Sequence, residues 1–353
     1  MPLEIVTLTV SGKPLPHKSC VLNCGAEEVE RDATFEVAYN GPGIPCEKGE
    51  PATVHIGGEL WLTGEVRDMN PSHDESERNY SVALISRTCD ASECSVDHAQ
   101  GIVENVDLME IARTFDTAGV GVEGDVVTPK KRTHKVITGE TLIDTIEPDA
   151  AALGILIYDT PEGNLKLADK PEGRHSGTLK RGENIKSASA NLSSARDFSK
   201  VKGRGQNSHG TNATSFHPDA VATNPDAKRE RVLIVAHQGE ATKERLKQRV
   251  KWEAKRAAGN GTTASIVTPD WRDDGGKIWD RNFLVSVDDD WIGVQQDMVT
   301  AQVSLSQDAD GGTEATLNLK DPRALGGQNP RGKSAGSWAA PGDAAADYKE
   351  QAL

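Results

Sequence analysis

Short runs in which apolar and polar residues alternate, each stopped by glycine, proline or asparagine, fill roughly the first ninety residues and return in the second half of the chain. Alternation at period two puts one set of side chains on each face of a strand, so such a chain must build sheets with one buried face. Leu3, Ile5, Thr7 and Thr9 alternate with Glu4, Val6, Leu8 and Val10, and Phe35, Val37 and Tyr39 share a face ahead of the Gly41-Pro42-Gly43 break. Stretches 53–56, 59–68 and 80–86 repeat the pattern around Gly57-Gly58 and the polar run 70–79. About five short strands with turn chemistry between them predict a small antiparallel barrel or sandwich over residues 1–88.

From residue 89 the period changes. Val106, Met109, Ile111, Ala112 and Phe115 approximate one helix face, and a second helical pattern over 141–153 is interrupted by Pro148, which predicts two short pieces. Residues 154–158 and 165–168 flank a Pro161-Glu162-Gly163-Asn164 turn and read as a hairpin, completing a small α/β unit over 89–183. A second β region covers 184–323, with strand exchange with the other regions allowed. It holds a polar loop, 203–227, expected to be mobile or wrapped over a neighbour, and strands near 231–237, 262–268, 284–287, 299–306 and 314–319. Inserted in it is a helix over 241–258, where Leu246, Val250, Ala254 and Ala257 form one stripe that Gly259-Asn260-Gly261 ends. Residues 324–353, rich in glycine, alanine and proline, are expected to be a flexible tail. The fold class is β-rich α+β.

Composition narrows the function. At 353 residues with 4% aromatics and a mean hydropathy of −0.53, the chain has room for two or three domains of modest core. The 40 basic residues against 54 acidic ones give a formal charge of −14, which opposes general phosphate-backbone binding. No apolar run is long enough for a membrane span, and the N-terminus lacks the basic and apolar pattern of a secretory signal, so export by that route is not expected. Five cysteines argue against a disulfide framework. The spacings Cys20-x3-Cys24 and Cys89-x4-Cys94 lack the two-residue knuckle of structural zinc sites and read as ordinary thiols.

Nucleophile-elbow and His-Glu-x-x-His motifs are absent, and Gly203-Arg204-Gly205 has Ser208 where a dinucleotide loop needs its third glycine. A calcium loop from Asp270 fails at Arg272 and Arg281, so that segment and Asp288-Asp289-Asp290 read as acidic, solvated turns. No catalytic, cofactor or metal residue is assigned. The helix over 241–258 is basic in an acidic chain, which makes Lys243, Lys247, Lys251, Lys255 and Arg256 candidates for a docking surface, as is the tail. Trp252, Trp271, Trp279 and Phe35 are candidate core residues, with the three tryptophans expected to pack the second barrel against its helix.

A family resemblance lies in the order of several motifs. Gln248-Arg249-Val250-Lys251-Trp252-Glu253-Ala254-Lys255-Arg256-Ala257 is followed by Trp271-Arg272-Asp273-Asp274-Gly275-Gly276-Lys277-Ile278-Trp279 with Asn282, and then by Leu319-Lys320-Asp321-Pro322-Arg323-Ala324-Leu325. Upstream come Thr63-Gly64-Glu65-Val66, Pro71-Ser72-His73-Asp74, Ser86-Arg87-Thr88, Gly139-Glu140-Thr141, Gly163-Asn164-Leu165 and Gly182-Glu183-Asn184-Ile185. Together they resemble the baseplate hub family of phage Mu and related contractile-tailed phages, from residue 1 to about 325, with mild departures at Ser86 and Cys89.

The resemblance implies a non-enzymatic homotrimer without cofactors. Each subunit would carry two tube-like antiparallel β-barrels with the small α/β domain between them, so that three subunits form a ring. The implied partners are the chain itself, the tail tube or a tube-initiator protein, the central spike and the baseplate wedge proteins, with no nucleic-acid specificity and no membrane span. The implied place is the virion tail baseplate, after assembly in the host cytoplasm. Two alternatives accompany this reading. The strand, Gly139-Glu140-Thr141, helix and strand order within 134–167 is also similar to cell-wall-binding LysM modules, which would suit a peptidoglycan-binding or hydrolytic tail protein. The same architecture would serve a bacteriocin or type VI-like injection machine.

Overall fold

In a computed structural model, which describes residues 4–75, 77–205, 219–224, 229–236, 243–309 and 311–334, the N-terminal alternation resolves in favour of the even-numbered set. Leu8 and Val10 are buried and Ile5 is exposed. Strand His17–Gly25 turns Cys20, Leu22 and Cys24 inward, where Phe35, Val54, Leu62, Val82 and Leu84 meet them from neighbouring strands. Strands Val6–Val10, Asp32–Val37, Pro51–Ile56, Glu59–His73 and Arg78–Ser86 complete the region with antiparallel pairing throughout.

The second β region has strands Ser187–Leu192, Thr262–Thr268, Phe283–Asp289, Val294–Asp308 and Gly312–Lys320. It does not form a separate barrel. Strand Val294–Asp308 is 15 residues long: its first half pairs with Phe283–Asp289, and its second half lies between Gly312–Lys320 and His17–Gly25. Leu22 is thereby set opposite Leu305, and Cys24 opposite Val303, so both regions share one hydrophobic core. The expected pair of closed barrels is corrected to two halves of one 13-stranded sheet. Its end strands, Ser187–Leu192 and Lys13–Pro14, do not pair with each other among the described residues. The cause is the length of Val294–Asp308, whose irregularity at 300–302 lets a single strand serve both halves.

The α/β residues form a second core. Helix Leu108–Phe115 starts with a capping box between Asp107 and Glu110, and buries Leu108, Ile111 and Phe115. Residues 141–153 are one helix, Leu142–Leu153, rather than two pieces. Thr141 and Asp144 cap its start and Gly154 closes it at φ 77°, and this end-fixing holds the helix together despite the N–H that Pro148 lacks. Two small sheets flank these helices, pairing Lys131–Lys135 with Ile102–Val106, and Leu165–Ala168 with Leu156–Asp159 and Val122–Glu123. Strand Gly173–Lys180, which the sequence reading puts in this unit, pairs in parallel with Phe283–Asp289 in the large sheet.

A third, smaller body is a sheet of Lys200–Arg204, Asp219–Thr223 and Val232–Ala236 with helix Lys243–Gly259 on one face. The strand Asp219–Thr223 stands within the polar loop expected over 203–227, of which residues 206–218 and 225–227 lie outside the described residues. Leu246, Val250, Ala254 and Ala257 are all buried, and Val250 and Leu246 press so closely on Gly203 that a Cβ there would come within 3 Å of both. The start of the expected flexible tail is corrected as well. Pro322–Leu325 is a buried 3-10 turn held by Asp321, the Asp297 N–H donates to the Arg331 carbonyl, and the Gln295 N–H donates to Ser334 Oγ. Ala324 and Leu325 are apolar enough to join a core with Tyr158 and Leu284, which anchors the chain to residue 334. Residues 335–353 of that expected tail lie outside the described residues.

Candidate functional site

Three parts of the chain meet at one buried carboxylate. Asp159 ends strand Leu156–Asp159 of the α/β unit, Arg31 precedes strand Asp32–Val37, and Arg281 precedes strand Phe283–Asp289. Arg31 Nε donates to Asp159 Oδ2 at 2.7 Å, and Arg281 Nη2 donates to Asp159 Oδ1 at 2.6 Å. Arg31 also donates to the Trp61 carbonyl with its guanidinium over the Trp61 ring, and Arg281 donates to the Asp159 carbonyl beside the Tyr158 ring. Arg31, Asp159 and Arg281 are each at most 3% exposed. Asp280 completes the charge balance. Burial would raise its pKa, but the charges of Arg281 and Arg31 outweigh that and hold it below the ordinary carboxylate range. Beside it, burial raises the Cys24 thiol above its ordinary range.

Asn282, buried and at φ 58°, extends the junction by donating to Tyr158 Oη at 3.1 Å and to the Lys170 carbonyl at 3.0 Å. Charges buried this way fix geometry, because a partner removed leaves another ion uncompensated. Further ion pairs lie outside this junction: Arg272 with Glu4 and Glu59, which ties the two β regions, and Arg174 bidentate with the buried Asp297.

Each of the two acidic turns keeps exposed residues, 274–277 in one and 290–291 in the other, around one buried carboxylate. Asp273 is buried and accepts from the backbone N–H groups of Ser176, Gly275 and Lys277, and His175 Nδ1 lies 3.0 Å from it. His175 Nε2 accepts from the Asp280 N–H, so Nδ1 carries the proton toward Asp273, and burial holds the imidazole below its ordinary pKa. Asp289 is 2% exposed and accepts from the N–H groups of Trp291 and Ile292. In both turns a carboxylate replaces backbone partners that the tight chain cannot supply. Among the described residues no cluster of histidine, cysteine and carboxylates has a metal-binding arrangement, and all five cysteines are free, with Cys20 pushed up to about 12 by burial.

The residues singled out from sequence fall in different places. Phe35, Trp271 and Trp279 lie in the large core, and Trp271 Nε1 donates to the Ser306 and Glu314 carbonyls. Trp252 is half-buried instead. It packs against Gly154, so it joins the basic helix to the α/β unit rather than to the β region, with Arg249 and Arg256 stacked on its ring. On the basic helix Lys243, Lys247 and Lys251 are exposed and Lys255 is half-buried. Arg256, part-exposed, pairs with Glu27 within the chain. Arg31, Asp159 and Arg281 were not singled out; the one local signal is that Asp159 ends the unbroken apolar run 155–158.

Comparison with known proteins places this architecture. The 43 kDa tail protein of prophage MuSo2 from Shewanella oneidensis superposes with a TM-score of 0.79 at 26% identity, over 91% of this chain and 99% of that one. The Escherichia coli c3393 protein, a type VI secretion component with structural similarity to T4 tail proteins gp27 and gp5, superposes with a TM-score of 0.56 at 10% identity, over 88% of this chain and 76% of that one. The fold is therefore that of β-rich phage tail and baseplate proteins. Within that class the resemblance is to the Mu-type baseplate hub. Residues 242–327 match the family model "Mu phage baseplate assembly protein GpP, fourth domain", and baseplate hub protein gp44 of Escherichia phage Mu is 22% identical over 304 residues, 81% of this chain and 79% of that protein.

Proposed function

We propose that the chain is the non-enzymatic central hub of a contractile-tail baseplate, a homotrimer that adapts the six-fold tail tube above to the three-fold spike below. The observation that carries this reading is the shared strand Val294–Asp308, which makes the two β regions one sheet, together with the Arg31–Asp159–Arg281 junction that locks the α/β unit to both. A part that passes load from tube to spike needs its regions fixed to one another, and buried paired charges resist sliding because any displacement separates them. The relevant locations are the virion baseplate and, before it, the host cytoplasm.

The likeness to a type VI secretion component favours one second reading, the equivalent hub in a related injection machine. Light scattering of the pure chain should give about three times 37.8 kDa. Electron microscopy of the chain mixed with tube and spike proteins should show it between them. A chain that stays monomeric and joins neither partner would overturn the hub reading.

A further inference from the structure

A cleft of about 310 Å³ opens where the end of helix Lys243–Gly259 meets the large sheet. It is lined by Leu192, Ser334 and four charged residues, Arg196, Asp197, Asp321 and Arg323, whose charges cancel. Asp321 and Arg323 are buried and paired at 2.8 Å, so the cleft offers little to an ionic ligand. Apolar surface stands beside it instead. Leu192 is 58% exposed and lies against Gly293, the residue that closes the turn carrying Trp291 at φ 73°. Trp291 is 82% exposed although its own N–H is held by Asp289 at 3.0 Å, so a fixed turn presents the indole outward. A large aromatic and a leucine exposed together beside a neutral cleft mark a surface that something covers.

The path of the chain identifies what covers it. Gly332 bridges Gln296 in antiparallel register, the Asp297 N–H donates to the Arg331 carbonyl, and the Ser334 N–H donates to the Gln295 carbonyl at 3.3 Å. From 331 to 334 the chain therefore runs against strand Val294–Asp308 and heads for the turn at 289–293. This close approach is written into the sequence: a Cβ at residue 332, which sits at φ 137°, would lie 2.1 Å from the Gln295 carbonyl oxygen, so only glycine fits. The residues that follow, 335–342, are Ala-Gly-Ser-Trp-Ala-Ala-Pro-Gly, with no charge before Asp343. Trp338 stands four residues beyond Ser334, at most about 14 Å along an extended chain, and Ser334 already lines the cleft.

We propose that residues 335–340 of the same chain close this cleft as a strap, with Trp338 seated in it and Leu192 and Trp291 covered. An uncharged segment suits a lining whose charges already cancel, and a tryptophan gains most from such a site because it buries about 150–250 Å². Attachment at Ser334 makes the docking intramolecular, which favours the tail over any diffusing occupant. The strap bridges the helix end, through Ala257 and Ala258 in the cleft, to the large sheet, and so restrains the small body. It goes beyond the hub reading, since it closes within a single chain whether or not that chain assembles.

The test compares the full chain with one that stops after Ser334, and with the full-length Trp338→Asp variant should the shortened chain fail to fold. In hydroxyl-radical labelling read by peptide mass, Trp291 should be oxidised at least roughly threefold faster in either variant than in the full chain, because loss of the strap uncovers it. With benzoylphenylalanine in place of Trp338, illumination should join that position to residues 192–197 or 257–262, and a mixture of isotope-labelled and unlabelled chain should show the link to be within one copy. Equal oxidation of Trp291 in all three chains, or links that fall outside the cleft, would overturn the strap. Links into the cleft of another copy would overturn closure within one chain. Failure to assemble between tube and spike proteins would count against the hub reading alone and leave the strap in place.

Discussion

The large sheet and the small sheet–helix body use charge in opposite ways. Where the large sheet meets the α/β unit, buried charges neutralise one another: Asp159 lies between Arg31 and Arg281, with the part-exposed Asp280 alongside. In the small body the apolar core is little more than Val201, Val250 and Ala254 with partly buried neighbours, and Lys243, Lys247 and Lys251 of its helix are exposed. Buried ion pairs gain little net stability but fix relative position, whereas exposed cations gain little stability and shape encounters. One molecule thus divides into a part that holds its own regions in place and a part suited to meeting others.

The largest expected effect breaks the first half of that contrast. Asp159→Ala leaves two guanidinium groups buried without their shared partner, and should lower unfolding free energy by about 3 to 5 kcal/mol in denaturant titration. Loss under about 1 kcal/mol would mean the junction is not what holds the regions together. The next effect lies on the seam between the two parts. Trp252→Ala removes a half-buried ring from Gly154 and should cost about 1 to 3 kcal/mol, less than a fully buried tryptophan, because one side of the ring already meets Arg249 and Arg256 near solvent.

A smaller effect is read by pH. Burial holds the folded His175 below its ordinary pKa of 6.5, against the opposing pull of Asp273 and the Asp280 carbonyl. The folded state therefore binds fewer protons than the unfolded one. Stability is complete above the unfolded value and declines as pH falls below 6.5 toward the folded one, by at most about 1.4 kcal/mol per pH unit. Thermal unfolding between about pH 8 and pH 5 should show this decline, and His175→Gln should flatten it. An equal slope in both proteins would assign the pH dependence to other groups.

The sequence carried some of this plainly. Period-two runs marked the strands, and the stripe Leu246, Val250, Ala254 and Ala257 marked the helix that covers the small sheet, because both patterns are local. The pairing of Leu22 with Leu305 was not legible, since it joins residues nearly three hundred positions apart and either strand could equally have closed a barrel of its own. The strand Asp219–Thr223 was hidden by its composition: an alternation of alanine, valine and threonine beside proline and asparagine scores as loop, and only two neighbouring strands supply the packing that orders it. Asp159, Arg31 and Arg281 look like surface charges when read singly. Their role arises from convergence, and each alone obeys the same local rules as any solvated residue. The burial of residues 324 and 325 is illegible for a related reason: Ala324 and Leu325 are too short a run to signal it, but they complete a cluster with Tyr158, Leu284 and Val299.

The smallest stability effect tests the second half of the contrast. Lys247 and Lys251 are exposed on the basic helix, while Arg249 and Arg256 on the same helix are held by Ala151 and Glu27. Reversing the two lysines to glutamate should therefore change unfolding free energy by no more than about 0.5 kcal/mol, the ordinary range for exposed sites. Assembly should respond differently. If the outward cations guide docking, the variant will bind tube or spike partners more slowly at low salt, and the deficit will shrink as salt screens the field. Arg256→Glu should give the reverse pattern, with lower stability through loss of the Glu27 pair and no salt-dependent docking defect of its own. Should the lysine pair lower stability and Arg256→Glu alter docking, the division between holding charges and meeting charges would fall at this helix, and the junction at Asp159 would have to be explained without it.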